Sequence, residues 1–419
     1  MIRFYNGKIL SMCDGAEISD EEIWVQDDKI CYVGEEKTDM PQFSREIDLC
    51  GNLLMPGFKN AHTHSAMTFA RSLADDMPLQ EWLFNKIFPL EEKLTEESVY
   101  YFNKLAVMEY LTSGITASFD MYYYRPSFAQ SNIDCGFRSV ICGVGGTFEE
   151  MEKDLLRFSN LHPLISYIPG THAEYTATID SLKDLSKLSH KYETPVFAHN
   201  SETLKETEEC IARNGMTPTA LFESLGLFDF GGGGFHCVYL SEEDMDIFAR
   251  RGAWVVTNPG SNSKLASGIA PLTAMMNKGI NIAIGTDGAS SNNALDFFRE
   301  MYLAAVLQKL SEKDAGACNA MSVLKMATIG GARCMGLKDC DTIACGKQAD
   351  LIVMDLQRPN MQPINDVVKN IVYSGSKENV ALTMVAGKIL YEKGEFFIGE
   401  EPRLVYEKCD ALLKGMLNG

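Results

Sequence analysis

Seven histidines occur in 419 residues, and five of them close apolar runs. The run NLLMPGFKNAHTH ends in His62 and His64, spaced i and i+2. Side chains two apart on a strand share a face, so both imidazoles can converge on one metal ion. Taken alone, such a pair also fits two surface or core histidines. Its place at the end of a predicted strand favours a metal site. His199 ends TPVFAHN with Glu202 three residues later, His236 closes GGFHCV, and Asp287 closes INIAIGTD. A buried, hydrogen-bonded histidine would account for any one of these positions. Four strands ending this way point instead to a shared centre. Three imidazoles and one carboxylate suit a borderline cation such as zinc. They leave a position for water, which the metal would acidify. His172 closes PLISYIPGTH and is either part of the same site or a structural histidine. His162, before Pro163, and His190, on a lysine-flanked stretch, are expected at the surface.

These groups need strands to carry them. Short apolar runs alternate with amphipathic stretches through the middle of the chain: GITASFD, RSVICGV, PLISYIPGTH, TPVFAHN, GGFHCV, AWVVTN and INIAIGTD. Helical patterns such as SLKDLSKLSHKY and SEEDMDIFARRG lie between them. Such alternation predicts parallel strands with helical crossovers. With NLLMPGFKNAHTH as the first strand the count is eight, which predicts a (β/α)8 barrel. Both chain ends read differently, as short alternating strands. Asn6-Gly7 and Asp27-Asp28 carry hairpin-turn chemistry, and Gly387-Lys388 echoes Gly7-Lys8. The expected architecture is α/β: a TIM-like barrel over 55–345, with a small β-sandwich built from 1–54 and 346–419. The GGGG run at 231–234 lacks the Walker lysine and precedes a strand, so it is no phosphate loop. The Phe/Tyr-rich stretch at 119–128 and the many methionines read as packing.

Composition narrows the partners. The balance is 38 basic against 57 acidic residues, a net charge of −19. An acidic surface repels phosphate backbones, so nucleic acid is not an expected partner. No run of ~20 apolar residues suggests a membrane span. MIRFYNGKIL has no signal-peptide core, so secretion is not expected. The 12 cysteines are scattered without a CxxC pair, as expected of reduced thiols in the cytoplasm. A homo-oligomer is expected.

The motifs around these residues resemble the amidohydrolase superfamily, and within it the 5′-methylthioadenosine/S-adenosylhomocysteine deaminase group. The resemblance rests on PGFKNAHTHSAMTFARSLADDMPLQEWL, HNSETLKETEE, FHCVYL, NPGSNSKLASGIAP and GTDGASSNNALDFFREM. GKQADLIVMD is similar to the superfamily's sandwich segment. The resemblance implies metal ligands at His62, His64, His199 and Asp287. It implies Glu202 as proton shuttle to the purine and His236 beside the attacking water. It also implies Glu91, in FPLEEK, as the group holding ribose hydroxyls, and His172 as a substrate contact. The strand-four lysine of dinuclear relatives is not evident, so one divalent ion is expected, zinc with iron(II) as the alternative. Two departures bear on the substrate. Glu174 stands where the group's HAPYT has proline. No second arginine follows Arg138 to take an amino-acid carboxylate, and CGVGGTFEEM offers acids there instead. A 5′-substituted adenosine without a carboxylate is therefore expected over S-adenosylhomocysteine.

The implied reaction is hydrolytic deamination of an adenosine-type nucleoside to the inosine type. The cytidine-deaminase pattern, H-x-E with P-C-x-x-C, is absent. Two rivals stand beside this reading. The same scaffold serves guanine deamination or hydrolysis of triazine-like rings, and a non-catalytic metal-binding protein is the more distant alternative.

Overall fold

The computed structural model describes residues 1–13, 17–73, 75–77, 81 and 83–418. Parts of the segment PGFKNAHTHSAMTFARSLADDMPLQEWL, at 74, 78–80 and 82, lie outside the described residues, as does residue 419. Eight parallel strands run through the middle. They are β1 (Phe58–Thr63), β2 (Ile115–Asp120), β3 (Arg138–Cys142), β4 (Ile165–Ile168), β5 (Val196–Asn200), β6 (Gly232–His236), β7 (Trp254–Thr257) and β8 (Asn281–Ile284). The first four form one sheet and the last four another, each in chain order. A parallel bridge pairs Gly170, beyond β4, with Phe197 of β5. On the other side Asp287 N donates to His62 O over 3.0 Å, which brings the chain after β8 against β1. One buried cluster takes side chains from all eight strands, among them Ala61, Phe119, Val140, Ile168, Phe197, Phe235, Val256 and Ala283. Each strand therefore turns at least one side chain toward a shared apolar cluster.

Helices cross between the strands: α1 (Ile179–Tyr192), α2 (Leu204–Asn214) and α3 (Glu242–Arg251) are three of them. Each starts where the sequence supplies a cap. Thr178 accepts from Ser181 N, and the pairs Thr203/Glu206 and Ser241/Asp244 form capping boxes. Of the glycine run at 231–234, Gly232, Gly233 and Gly234 lie inside β6 and Gly231 just before it. A Cβ on Gly232 would fall 2.0 Å from Val196 O, and one on Gly233 2.2 Å from Trp254 O. Neighbouring backbones approach so closely here that only glycine fits.

Both chain ends form antiparallel-rich sheets. A four-stranded sheet runs Lys29–Gly34, Glu22–Gln26, Ile2–Tyr5, Arg45–Asp48. A seven-stranded sheet mixes early and late strands, because Leu351–Met354 pairs antiparallel with Leu53–Pro56. Phe4, Ile23 and Val25 of the first sheet share a buried cluster with Leu54, Leu351 and Leu382 of the second. Asp27-Asp28 turns a hairpin as expected, with Gln26 opposite Lys29. Asn6-Gly7 does not: Ile2–Tyr5 and Lys8–Leu10 belong to different sheets, so this turn passes the chain from one to the other. NLLMPGFKNAHTH likewise splits. Leu53–Pro56 joins the seven-stranded sheet, and β1 begins at Phe58. No helix among the described residues is long and apolar enough to cross a membrane.

Arg138 opens β3 at the end opposite the histidines. It donates to Asp350 over 2.7 and 2.9 Å, and both side chains are buried. It therefore ties β3 to the strand Leu351–Met354 and has no route to a substrate carboxylate. Burial would raise the Asp350 carboxyl, but the Arg138 charge and hydrogen bonds outweigh it and hold the group low. A depressed folded value means stabilisation that is present above the unfolded value of about 4 and lost as pH falls through the folded one. Asp350→Asn should cost about 3 kcal/mol at neutral pH, because it leaves a buried arginine unpaired. That deficit should shrink in acid, where wild type loses the same charge. Urea unfolding of both proteins at neutral and acid pH measures it; a deficit independent of pH would remove the ion pair as its cause.

Candidate active site

The polar groups that close the strands converge. His62, His64 and His199 offer ligand atoms within 4.8 Å of one another, and so do His62, His236 and Asp287. Asp287 Oδ1 lies 3.4 Å from His64 Nε2 and 3.8 Å from His62 Nε2. Two of these residues, His236 (φ 69°) and Asp287 (φ 59°), sit in the left-handed region that non-glycine residues rarely occupy. Such strain persists only where the surrounding fold holds it, and it clusters at functional sites.

Protonation follows from the partners. His64 Nδ1 lies 2.6 Å from Met121 O, and His199 Nδ1 lies 2.7 Å from His172 O. A carbonyl only accepts, so each Nδ1 carries a proton, and Nε2 is the nitrogen each ring turns toward the cluster. His236 Nδ1 meets Asn262 Oδ1 at 2.8 Å. Both ring nitrogens of His62 are buried without a hydrogen-bond partner. Burial, then the neighbouring imidazoles, push His62 and His199 well below the usual histidine range. Burial also lowers His172, to about 4. Burial opposes the charged form of His236, yet the Glu202 and Asp287 carboxylates outweigh it and raise the group. Asp287 is held low against its burial by His64, His236 and a 2.6 Å bond from Ser261 Oγ. Imidazoles beside a carboxylate held low, with an unpartnered buried ring among them, are a donor set that fits a divalent ion.

A cavity of about 540 Å³ opens above this cluster. Seven of the eight residues singled out in the sequence line it: His64, Glu91, His172, His199, Glu202, His236 and Asp287. His62 lies fully buried. Glu202 stands beside the cluster without belonging to either donor group. Its Oε1 is 3.9 Å from His236 Nδ1 and accepts from Ser267 Oγ at 3.2 Å. Glu91 accepts from Tyr122 Oη at 2.8 Å, and burial raises its carboxyl. His172 Nδ1 lies 3.1 Å from Thr176 Oγ1. His190 is exposed and 3.0 Å from Asp229, and His162 is half-buried.

The cavity also has lining residues that the sequence motifs do not mark. Glu206 accepts from the backbone N–H groups of Ser201 and Glu202 at 3.0 and 2.8 Å and so fixes the turn that presents Glu202. Burial raises it to about 7. The Thr203/Glu206 capping pattern is its sequence signal. Tyr122, Tyr123, Met67 and Met121 line the cavity, so the aromatic stretch is more than packing. Arg213 of α2 also lines it and pairs with buried Glu174. Within TFEEM, Glu149 and Glu150 are exposed, and Glu150 closes a capping box with Thr147; neither faces the cavity. No lysine among the described residues lines it.

The Amidohydrolase family model matches residues 53–390. Over 99% of both chains, the protein is 36% identical to the 5-methylthioadenosine/S-adenosylhomocysteine deaminase of Caldanaerobacter subterraneus subsp. tengcongensis. A crystal structure of an adenosine deaminase from Xanthomonas campestris with bound zinc superposes with a TM-score of 0.93 at 30% identity, over 100% of this chain and 99% of that one. An atrazine chlorohydrolase from Arthrobacter aurescens complexed with zinc shares the fold (TM-score 0.91, 19% identity, 99% and 100% covered). The chain belongs to the amidohydrolase family and, within it, to the 5-methylthioadenosine/S-adenosylhomocysteine deaminases.

Proposed function

We propose that the chain is a divalent-metal-dependent deaminase that hydrolyses 5′-substituted adenosines to the inosine-type product and ammonia. The observation that carries this is one cavity holding both a histidine–aspartate donor set and a separate carboxylate, Glu202, in a chain alike over its full length to such deaminases. In this reading His62, His64, His199 and Asp287 hold a single ion, zinc ahead of iron(II). When bound, the ion acidifies a water so that attack proceeds at neutral pH. Asp287 takes the water proton. Glu202 delivers a proton to the ring nitrogen beside the amino-bearing carbon, and His236 supports charge building at the tetrahedral centre. Asp287 then passes the water proton to the amino group, which leaves as ammonia while the new hydroxyl becomes the carbonyl and returns a proton to Glu202. Glu91 holds the ribose hydroxyls, and His172 packs against the substrate.

The same reading extends to the whole chain. The two parallel sheets act as one (β/α)8 barrel over 55–345, and the end sheets act as a β-sandwich from 1–54 and 346–419. The Gly170–Phe197 bridge and the Asp287–His62 hydrogen bond support the first. The shared cluster under the end sheets supports the second. Twelve free cysteines suit a reducing cytoplasm, and a homo-oligomer is the assembly proposed.

A substrate panel on wild type and Glu91→Gln tests the function. Methylthioadenosine, 5′-deoxyadenosine and adenosine should turn over, and adenine should be poor because it lacks the ribose. Glu91→Gln should lower kcat/KM for nucleosides about tenfold or more, the worth of a charge-assisted hydrogen bond, and leave adenine nearly unchanged. Turnover confined to guanine or triazines would replace the reading with a rival. Metal without turnover on any ring would leave a binding protein.

A further inference from the structure

Arg213 is the one lysine or arginine among the described residues that lines the cavity. It is already committed. Its guanidinium pairs with the Glu174 carboxylate, and Nη1 lies 3.7 Å from Glu209. Asn214 Nδ2 donates to the other Glu174 oxygen at 3.4 Å. The Glu174 side chain is only 2% exposed, against 45% for Arg213. A carboxylate so buried must keep its cation, because leaving it unpaired costs several kcal/mol.

The position of this pair matters. A purine undergoing deamination sets its amino-bearing carbon against the buried floor of histidines and Asp287. The 5′ substituent is the opposite end of the nucleoside and points to the rim. There the cavity offers Arg213, Glu209 and the half-exposed rings of Phe84, Tyr123 and Tyr175. An uncharged thioether suits those rings. An amino-acid carboxylate would find its cation taken and Glu209 beside it, and like charges in a partly desolvated site repel.

We propose that Glu174 determines substrate choice: by holding Arg213 it withholds the one lysine or arginine that lines the cavity among the described residues and selects against 5′ substituents ending in a carboxylate. This rests on the adenosine-deaminase reading above. The test compares kcat/KM for S-adenosylhomocysteine and methylthioadenosine in wild type, Glu174→Gln, Glu174→Ala and the double variant Glu174→Ala/Arg213→Ala, each loaded with zinc. Glu174→Gln keeps the side chain's shape, so folding is preserved even if alanine is not tolerated.

Wild type should prefer methylthioadenosine. Freeing Arg213 should raise the S-adenosylhomocysteine to methylthioadenosine ratio about tenfold or more, the worth of one charge-assisted hydrogen bond. The double variant should lose that gain. A wild-type preference for S-adenosylhomocysteine, an unchanged ratio in the Glu174 variants, or a gain that survives loss of Arg213 would each overturn the proposal. Absence of any adenosine turnover in zinc-loaded wild type would overturn the deaminase reading instead. Equilibrium dialysis of the same two ligands then decides the proposal, through the same shift in the ratio of Kd values.

Discussion

Glu202→Gln is expected to keep the metal and the fold and to lower turnover by about 10²–10⁴-fold, the usual contribution of general acid–base catalysis. The carboxylate lies outside both donor groups, so its loss removes no ligand. Glutamine is nearly the same shape, and its amide oxygen can still accept from Ser267. The turn that presents it is held by Glu206 through backbone N–H groups, which the substitution does not touch. What glutamine cannot do is deliver a proton to the purine. The informative measurement pairs kcat with zinc content on the same preparation. Full metal with turnover lowered in that range supports the shuttle; wild-type turnover would show that the proton comes from elsewhere.

His199→Ala should instead remove metal and turnover together. His199 Nδ1 donates to the His172 carbonyl and Nε2 turns toward the cluster, so a ready ligand is lost. The remaining nitrogens of His62 and His64 then face a hole where the third imidazole stood. Elemental analysis of protein purified without added metal should find about one divalent ion per wild-type chain and nearly none in the variant, a four-ligand zinc site having lost one of its donors. Far-ultraviolet circular dichroism should stay close to wild type, because the strands around His199 pair through backbone atoms. Two ions per wild-type chain would overturn the single-ion proposal. A variant that keeps its metal would remove His199 from the ligand set.

Much of this site can be read without coordinates. Direction along a strand is a local property: residues alternate sides with a period of two, so a polar residue closing an apolar run lies at a strand end wherever the strand goes. His62, His199 and His236 lie in the last residues of their strands, His64 and Asp287 just beyond theirs, and all five meet. The helices α1 and α3 were equally legible, since their caps sit within three residues of the groups they satisfy. Tertiary structure alone decided the rest, wherever a side chain's partner is distant in sequence. Arg138 looks like a candidate for a substrate carboxylate, yet it ends against Asp350, 212 positions away. Glu174 looks like one more acid in the site, yet Arg213, 39 positions on, answers its charge. Asn6-Gly7 carries hairpin chemistry, but the pairing of Leu53–Pro56 with both Lys8–Leu10 and Leu351–Met354 draws the chain into a second sheet. Local backbone preference sets what each segment can form. Which charges neutralise one another, and which strands share an edge, depends on surfaces that exist only once the chain has folded.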